Sequence, residues 1–156
     1  MRYSVTAVVV SYNREELLAE CLAGIDRQTR QPDHLIVIDN ASTDGALGVA
    51  RRFAARTAIP TRVVALPRNV GGAGGFTAGI ALAVEPLMQP LGPHESGAGY
   101  RMGGYEPQPG LVHDVGLMDD DTVPRPNARE ELRRASDAGV AQNGRVPVAL
   151  GSKAVW

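Results

Sequence analysis

The stretch that most restricts the fold is residues 5–10, an almost unbroken run of apolar, mostly β-branched side chains. Strands buried on both faces have this composition, and they are typical of parallel sheets covered by helices. Two further apolar runs, residues 34–38 and 61–66, follow at intervals that leave room for a helix. Alternating strands and helices predict an α/β protein, a three-layer α/β/α, Rossmann-like arrangement around a mainly parallel sheet.

The segments between these runs carry helix signals. Asn13 stands where it would cap the first helix, with Glu16 as its capping-box partner, and the polar groups of residues 39–45, Ser42 among them, can cap the second helix. At least one of these two caps is expected whether or not a ligand binds. A third helix is predicted at about residues 76–87. Apolar side chains at helical spacing predict the buried face of the first helix: Leu17, Leu18, Cys21, Leu22 and Ile25.

Composition argues against several classes of function. The chain has 156 residues, 44% of them hydrophobic, and a formal net charge of -1, which fits one domain and gives no basic surface for nucleic acid. Its one cysteine, Cys21, allows no internal disulfide, and the apolar surroundings predict core packing rather than a nucleophile. No apolar stretch approaches the roughly 20 residues of a membrane span. A cytoplasmic protein is the default prediction.

The second half of the chain begins with a segment of different character. Residues 88–110 are rich in proline and glycine and are long for a loop, which predicts a mobile insertion, with a functional lid as the alternative. A fourth strand is predicted at residues 111–118, a helix from 126 to 139 and a short strand at 147–150. Because the last residues supply no capping element, we expect residues 1–156 to be a domain or the N-terminal part of one.

The predicted fourth strand runs into three consecutive carboxylates. Because side chains alternate across a strand, Asp119 and Asp121 are predicted to face one side and Asp120 the other. Two such oxygen ligands suit Mg²⁺ or Mn²⁺, which commonly use only one or two protein carboxylates beside a phosphate. The alternative is a solvated acidic turn before Pro124.

Polar clusters also follow the other predicted strands. They contain Ser11 to Arg14, Asp39 to Ser42, and Asn69 to Gly72, and the acidic triplet is the fourth cluster. Ligands in open α/β sheets bind beyond the carboxyl ends of the strands. If the strands are parallel, all four clusters line one edge of the sheet and together offer hydrogen-bond acceptors, accessible backbone and a carboxylate pair.

Four sequence segments resemble the nucleotide-binding half of family 2 glycosyltransferases, which have the GT-A fold. They are residues 8–14 (VVVSYNR), 37–45 (VIDNASTDG), 69–76 (NVGGAGGF) and 117–121 (LMDDD). The resemblance extends over nearly the whole chain apart from residues 88–110. Within the family, the glycine-rich segment and the triple aspartate are most similar to galactofuranosyl- and rhamnosyltransferase-like members.

The resemblance implies a transferase that moves a sugar from a nucleotide-diphosphate donor, chiefly a UDP-sugar, to a glycan or lipid-linked acceptor with inversion. This chemistry belongs to cell-wall or polysaccharide biosynthesis. The implied cofactor is Mn²⁺ or Mg²⁺, held by Asp119 and Asp121. The residues implied to surround the nucleotide sugar are Ser11, Tyr12, Asn13, Arg14, Asp39, Asn69, Gly71, Gly72, Asp119 and Asp120.

The resemblance also implies roles for these positions. The segment from Ser11 to Arg14 borders the nucleobase, Asp39 binds the uracil or ribose, Asn69 and the following glycines form the pocket floor, and Asp119 contacts ribose or metal. The inverting base is a carboxylate in the acceptor-binding half, which is expected beyond Trp156. Glu130 and Glu131 are predicted to be solvated surface residues, so no base is assigned.

Other interpretations stay open. A Rossmann dehydrogenase would place its glycines after the first strand, whereas here they follow the third. A nucleotidyltransferase of GT-A architecture would carry a glycine-rich, basic loop at that first turn. A non-catalytic nucleotide-binding fragment or scaffold also fits the length. Asp39 is equally explained as stabilising its turn, and the glycines as allowing close helix packing. The oligomeric state and any membrane association through missing parts stay open.

Overall fold

The computed structural model of the protein describes residues 2–84, 89–90, 100–101 and 111–143. Strands and helices alternate along the chain, as predicted. The elements are β1 (Arg2–Ser11), α1 (Glu15–Asp26), β2 (His34–Asp39), α2 (Ala46–Ala54), β3 (Thr61–Ala65), α3 (Gly71–Val84), β4 (Gln89–Pro90), β5 (Tyr100–Arg101), β6 (Leu111–Asp119) and α4 (Ala128–Asn143).

Four of the strands form one parallel sheet in the order β3-β2-β1-β6. β1 is therefore a central strand, hydrogen-bonded to β2 on one side and to β6 on the other. The predicted α/β class with a mainly parallel sheet is confirmed. The apolar runs located the strands well because a strand buried on both faces has little tolerance for polar residues.

Helices cover both faces of the sheet. The face of β1 that carries Val9 packs against α1 and α2, and the face that carries Val8 packs against α3. Four of the five residues predicted for the buried stripe of α1 are buried, whereas Leu17 is 39% exposed and its prediction is wrong. The buried members on the α1/α2 face are Ala7, Val9, Leu18, Cys21, Leu22, Ile25, Leu35, Val37, Ala46, Ala50 and Ile59.

The glycine-rich stretch lies inside a helix. α3 begins at Gly71, earlier than the predicted start near residue 76. A Cβ on Gly75 would lie 2.6 Å from Val10 Cγ1, and one on Gly79 would lie 2.3 Å from Val8 Cγ1. These two glycines therefore let the helix approach β1 closely. For Gly75, this agrees with the alternative that the glycine-rich segment serves helix packing.

The N-terminus of α2 is capped from within the predicted segment 39–45, whereas that of α1 is capped differently from the prediction. Neither Asn13 nor Ser42 caps a helix. Instead, Asp44 Oδ2 accepts a hydrogen bond from the backbone N–H of Glu15 at 3.0 Å, and its Oδ1 accepts one from the N–H of Ala46, also at 3.0 Å. One carboxylate thus accepts hydrogen bonds from the first turns of both α1 and α2. The cap of α1 could not be predicted from neighbouring residues, because Asp44 lies 29 residues from Glu15.

The fourth helix, α4, begins at Ala128 and presents its acidic first turn to solvent. Arg134 pairs with Glu130 at 2.9 Å and with Glu131 at 3.1 Å, and all three side chains are exposed to solvent by more than a third. The prediction that Glu130 and Glu131 are surface residues is confirmed.

Part of the second half lies outside the described residues. This applies to most of the predicted insertion at 88–110, to the predicted end of the third helix at residue 87 and to the predicted strand at 147–150. Within the insertion, β4 and β5 pair antiparallel. Among the helices that are described, none is both long and apolar enough to cross a membrane.

Replacing Gly79 by Ala tests the close approach of α3 to β1. Its new Cβ would meet the fully buried and stiff Val8 side chain, an overpacking that typically costs about 1–3 kcal/mol. Gly72→Ala is the matched control, because a Cβ there meets nothing within 4 Å while the gain in helix propensity is similar. Urea denaturation should give a clearly lower free energy of unfolding for G79A than for G72A. Equal values would contradict the packing.

Replacing Asp44 by Ala tests the shared cap. Loss of one side chain that serves two helices should lower the free energy of unfolding by about 1–3 kcal/mol, more than a single cap usually contributes. Glu16→Ala is the control, since the structure gives Glu16 no capping bond, and this exposed change should stay within about 0.5 kcal/mol. Thermal or urea unfolding measures both. A larger loss for Glu16 than for Asp44 would restore the capping box predicted from sequence.

Candidate functional site

Four strand ends meet at one edge of the sheet. Ser11 is paired in register with Asp39, and Val10 is paired with Asp119. β3 ends beside them, because Ala65 is the register partner of Asp39. We call this edge the rim and define it as residues 11–14, 39–45, 69–72 and 119–121. The structure therefore brings the four predicted clusters to the same edge.

Two buried oxygen atoms at the rim have no partner among the described residues. Ser11 is 1% exposed and Asp39 is 2% exposed, and both Ser11 Oγ and Asp39 Oδ1 lack a hydrogen bond there. The other oxygen of Asp39 accepts from the backbone N–H of Ser42 at 3.3 Å. Stabilisation of the turn thus uses one of the two oxygen atoms of the Asp39 carboxylate. Buried polar atoms are nearly always paired, so Oδ1 and the serine hydroxyl are candidates for ligand contacts.

The loops after β1 and β2 hold each other in place. Asn13 donates its backbone N–H to Ser42 Oγ at 3.0 Å, and its side-chain Oδ1 accepts from the N–H of Thr43 at 2.7 Å. Asn13 has φ 52° and Ala41 has φ 63°, a conformation that non-glycine residues adopt rarely. The side chains of Asn13 and Ser42 are therefore used to join two rim loops.

Asn40 is a rim residue whose importance the sequence did not reveal. It is 1% exposed, and its Nδ2 donates to Asn69 Oδ1 at 3.0 Å and to the carbonyl oxygen of Gly71 at 3.2 Å. Its Oδ1 accepts from the N–H of Val70 at 2.9 Å. Asn69 Oδ1 also accepts from the N–H of Gly71 at 2.8 Å. Asn40 thus fixes the loop that leads into α3; the available sequence signal was its position directly after a buried strand.

The first turn of α3 leaves its backbone accessible. Gly71 has φ 74°, which favours glycine, and a Cβ on Gly71 or Gly72 would meet nothing within 4 Å. Unlike Gly75, Gly72 is not required by packing. The early N–H groups of a helix lack partners within the helix, so this turn offers donors to an anion.

The backbone of the acidic triplet differs from the predicted continuous strand. β6 ends at Asp119, and a turn follows in which the N–H of Thr122 donates to the carbonyl oxygen of Asp119 at 3.1 Å. Strand alternation therefore does not extend to the next two residues and cannot explain their orientations, although Asp120 is the buried member of the triplet. Asp120 is 4% exposed and accepts from the backbone N–H of Tyr12 at 3.3 Å. Its other oxygen, Oδ1, accepts from Arg14 Nη1 at 3.3 Å. Both oxygens of Asp120 are therefore hydrogen-bonded within the protein.

The triplet keeps an excess of negative charge. Partial burial raises the pKa of Asp119, the charges of Asp121 and Asp120 raise it further, and Arg14 opposes them. Among the described residues, the Asp119 carboxylate receives no hydrogen bond, and no group of three or more His, Cys, Asp or Glu residues is arranged to hold a metal. Two exposed carboxylates do fit a hard cation that takes its remaining ligands from water and phosphate. The donor set is compatible with Mg²⁺ or Mn²⁺.

Cys21 lies directly beneath the triplet. Its Sγ contacts the carbonyl oxygen of Asp119 at 3.7 Å, and it is fully buried in the core on the α1/α2 face. Burial, followed by the charges of Asp120, Asp121 and Asp119, raises the pKa of the Cys21 thiol to about 12. The thiol therefore stays protonated at neutral pH, and the prediction of core packing is confirmed.

Comparison with known proteins shows what the chain resembles. Residues 6–91 match the family described as Glycosyl transferase family 2. The galactofuranosyltransferase GlfT1 of Mycobacterium tuberculosis H37Rv is 43% identical over 84 residues, which are 54% of this chain and 27% of that protein. GlfT1 of Mycolicibacterium smegmatis is 41% identical over 80 residues, 51% of this chain and 25% of that protein. The chain thus spans about a quarter of the length of these relatives.

Solved structures share the fold. TarS 1–349 of S. aureus in complex with UDP-GlcNAc aligns with a TM-score of 0.58 at 16% identity, over 90% of this chain and 32% of that one. The mannosyltransferase PcManGT of Pyrobaculum calidifontis, in complex with GDP-Man and Mn²⁺, aligns with a TM-score of 0.54 at 23% identity, over 81% of this chain and 30% of that one. The predicted GT-A architecture is confirmed at the level of the fold, as a partial copy of it.

Replacing Asn40 by Ala tests how the loop before α3 is held. The change removes three side-chain hydrogen bonds at a buried position and leaves the N–H of Val70 without its partner, which should cost about 2–3 kcal/mol in unfolding free energy. Hydrogen exchange of the Val70 amide should accelerate more than exchange in β2. Gln31→Ala, which removes an exposed amide contact to Asp26, is the control and should cost no more than about 0.5 kcal/mol. Unchanged Val70 protection in N40A would refute this role.

Proposed function

The chain belongs to glycosyltransferase family 2, and on that premise we propose that its rim binds the nucleoside-diphosphate part of a sugar donor. The sugar is transferred to a glycan or lipid-linked acceptor, with inversion. A UDP-sugar is the proposed donor, and the galactofuranosyltransferase relatives favour a galactofuranosyl group. The observation that carries the proposal is the buried, unpartnered Oδ1 of Asp39 beside Ser11 at adjacent strand ends.

Asp39 is suited to recognise a uridine. A buried carboxylate oxygen without a partner requires a hydrogen-bond donor, and the N3–H of uracil or a ribose hydroxyl supplies one. The hydroxyl of Ser11 adds a donor and an acceptor at the same edge. Since Ser42 N–H already holds the other oxygen of Asp39, the carboxylate is oriented before the ligand arrives.

The diphosphate is proposed to lie between the start of α3 and the acidic triplet. Gly71 and Gly72 leave accessible backbone on one side, and Asp119 and Asp121 are the proposed metal ligands on the other. A bound Mn²⁺ or Mg²⁺ supplies Lewis-acid stabilisation of the charge on the departing nucleoside diphosphate. The mannosyltransferase PcManGT, which shares the fold, forms a complex with GDP-Man and Mn²⁺, and this supports a divalent cation in the proposed site.

The chain's own contribution is binding and orientation of the donor. Among the described residues, the acidic side chains of α4 pair with arginine on the surface and are not proposed as the inverting base. None of the described residues is proposed as the base or as part of the acceptor site. The chain alone is expected to bind the donor without completing the transfer.

A thermal-shift titration with UDP and Mn²⁺ tests the proposal. At about 100 times its dissociation constant a ligand stabilises the native state by about 2.7 kcal/mol, so a clear rise in Tm is expected for UDP with Mn²⁺. Asp39→Asn should weaken UDP binding at least about tenfold, because each lost buried hydrogen bond to a charged group is worth roughly 1.5–3 kcal/mol. Asp121→Asn should remove the Mn²⁺ enhancement while UDP alone still binds.

Glu131→Gln is the matched control, since it removes one carboxylate charge on the surface of α4. It should bind UDP and Mn²⁺ like the unmodified chain. If UDP raises the Tm of neither the unmodified chain nor this control, with or without Mn²⁺, the donor-site proposal fails.

A further inference from the structure

Arg14 joins two members of the acidic triplet through one nitrogen atom. Its Nη1 lies 3.3 Å from Asp120 Oδ1 and 3.2 Å from Asp121 Oδ2. Both carboxylates come from the turn after β6, more than 100 residues away in the sequence. The guanidinium group therefore occupies the space between the end of β1 and a proposed metal ligand.

The two ion pairs differ in strength. The Asp120 side chain is 5% exposed and also accepts the backbone N–H of Tyr12, so its position is fixed from two sides. The Asp121 side chain is 38% exposed and has Arg14 as its one partner among the described residues. Exposed ion pairs contribute little, whereas a buried carboxylate that loses its partner is costly. Arg14 can thus leave Asp121 at low cost and keep Asp120.

We propose that Arg14 competes with the divalent cation for Asp121, so that the cation binds by displacing Arg14 Nη1 from Asp121 while Arg14 stays on Asp120. The inference rests on the metal site of the proposed function. It makes Arg14 a positioning residue that sets the affinity for the cation, with Asp120 as its anchor. The rim then holds the cation weakly until a diphosphate adds further oxygen ligands.

Mn²⁺ titration without nucleotide, followed by electron paramagnetic resonance of the free ion, tests the competition. Arg14→Gln removes the competing charge and should lower the Mn²⁺ dissociation constant about five- to tenfold, the size expected for one unit charge near a ligand in a strongly screened setting. Arg14→Lys keeps a charge there and should stay within about threefold of the unmodified chain. Arg56→Gln, a control with the same charge change at the opposite edge of the sheet, should change the constant less than twofold.

Two results would overturn the inference in different ways. If Mn²⁺ binding depends on Asp121 but is unchanged or weakened in R14Q, the competition is wrong and the metal site stands. If neither the unmodified chain nor R14Q binds Mn²⁺, with or without UDP, both the metal site and the competition are wrong.

A second measurement uses the unmodified chain, in case R14Q folds poorly. Phenylglyoxal modifies free guanidinium groups, and peptide mass spectrometry gives the rate at each arginine. Addition of Mg²⁺ should accelerate modification of Arg14 at least about twofold, because an arginine that leaves an ion pair is more accessible to the reagent. Arg56 should react at the same rate with and without Mg²⁺. An Arg14 rate that is unchanged or lower in Mg²⁺ would overturn the displacement.

Discussion

The parallel register of β1 with its two neighbours is the constraint on which the site depends. It places Ser11 beside Asp39 and brings Asp119 next to Val10, although these residues are far apart in the chain. Burial of β1 between two helical layers fixes that register, since a slip of one residue would turn Val8 and Val9 to the wrong faces. Every contact at the rim follows from this alignment.

The sequence predicted those features that depend on short-range pattern. Apolar, β-branched runs located the strands, and the rim followed from their parallel arrangement. The cap of α1 was mispredicted because the acceptor for Glu15 is Asp44, on a different loop. The start of α3 was placed too late because close approach to Val8 and Val10, which favours glycine within that helix, is a tertiary effect. Local pattern does not contain such contacts.

The acidic triplet likewise combines a position that the sequence pattern predicts with contacts that only the tertiary structure shows. Its position at a strand end was predictable, but the strand ends at Asp119, so strand alternation is not what orients Asp120 and Asp121. Asp120 became buried because Tyr12 and Arg14 engage it from the loop that follows β1. Asn40 went unnoticed for a similar reason, since its partners at Asn69 and Val70 lie on another connection. The positions of these residues were thus easier to predict than the long-range contacts that hold them.

In this member of glycosyltransferase family 2, the rim residues have different proposed tasks. Asp39 and Ser11 offer unpartnered polar atoms for a nucleoside, and Asn13, Asn40 and Asp120 hold the loops around them. The carboxylates of Asp119 and Asp121, and the Arg14 side chain that pairs with Asp121, are proposed to set the charge where the diphosphate lies. A crystal structure of the chain with UDP and Mn²⁺ tests the central claim most directly. The account predicts a uracil or ribose donor at about 2.8 Å from Asp39 Oδ1, within ordinary hydrogen-bond distance, and anomalous scattering from Mn²⁺ beside Asp119 and Asp121. UDP bound away from Asp39, or Mn²⁺ bound elsewhere with the rim empty, would contradict it.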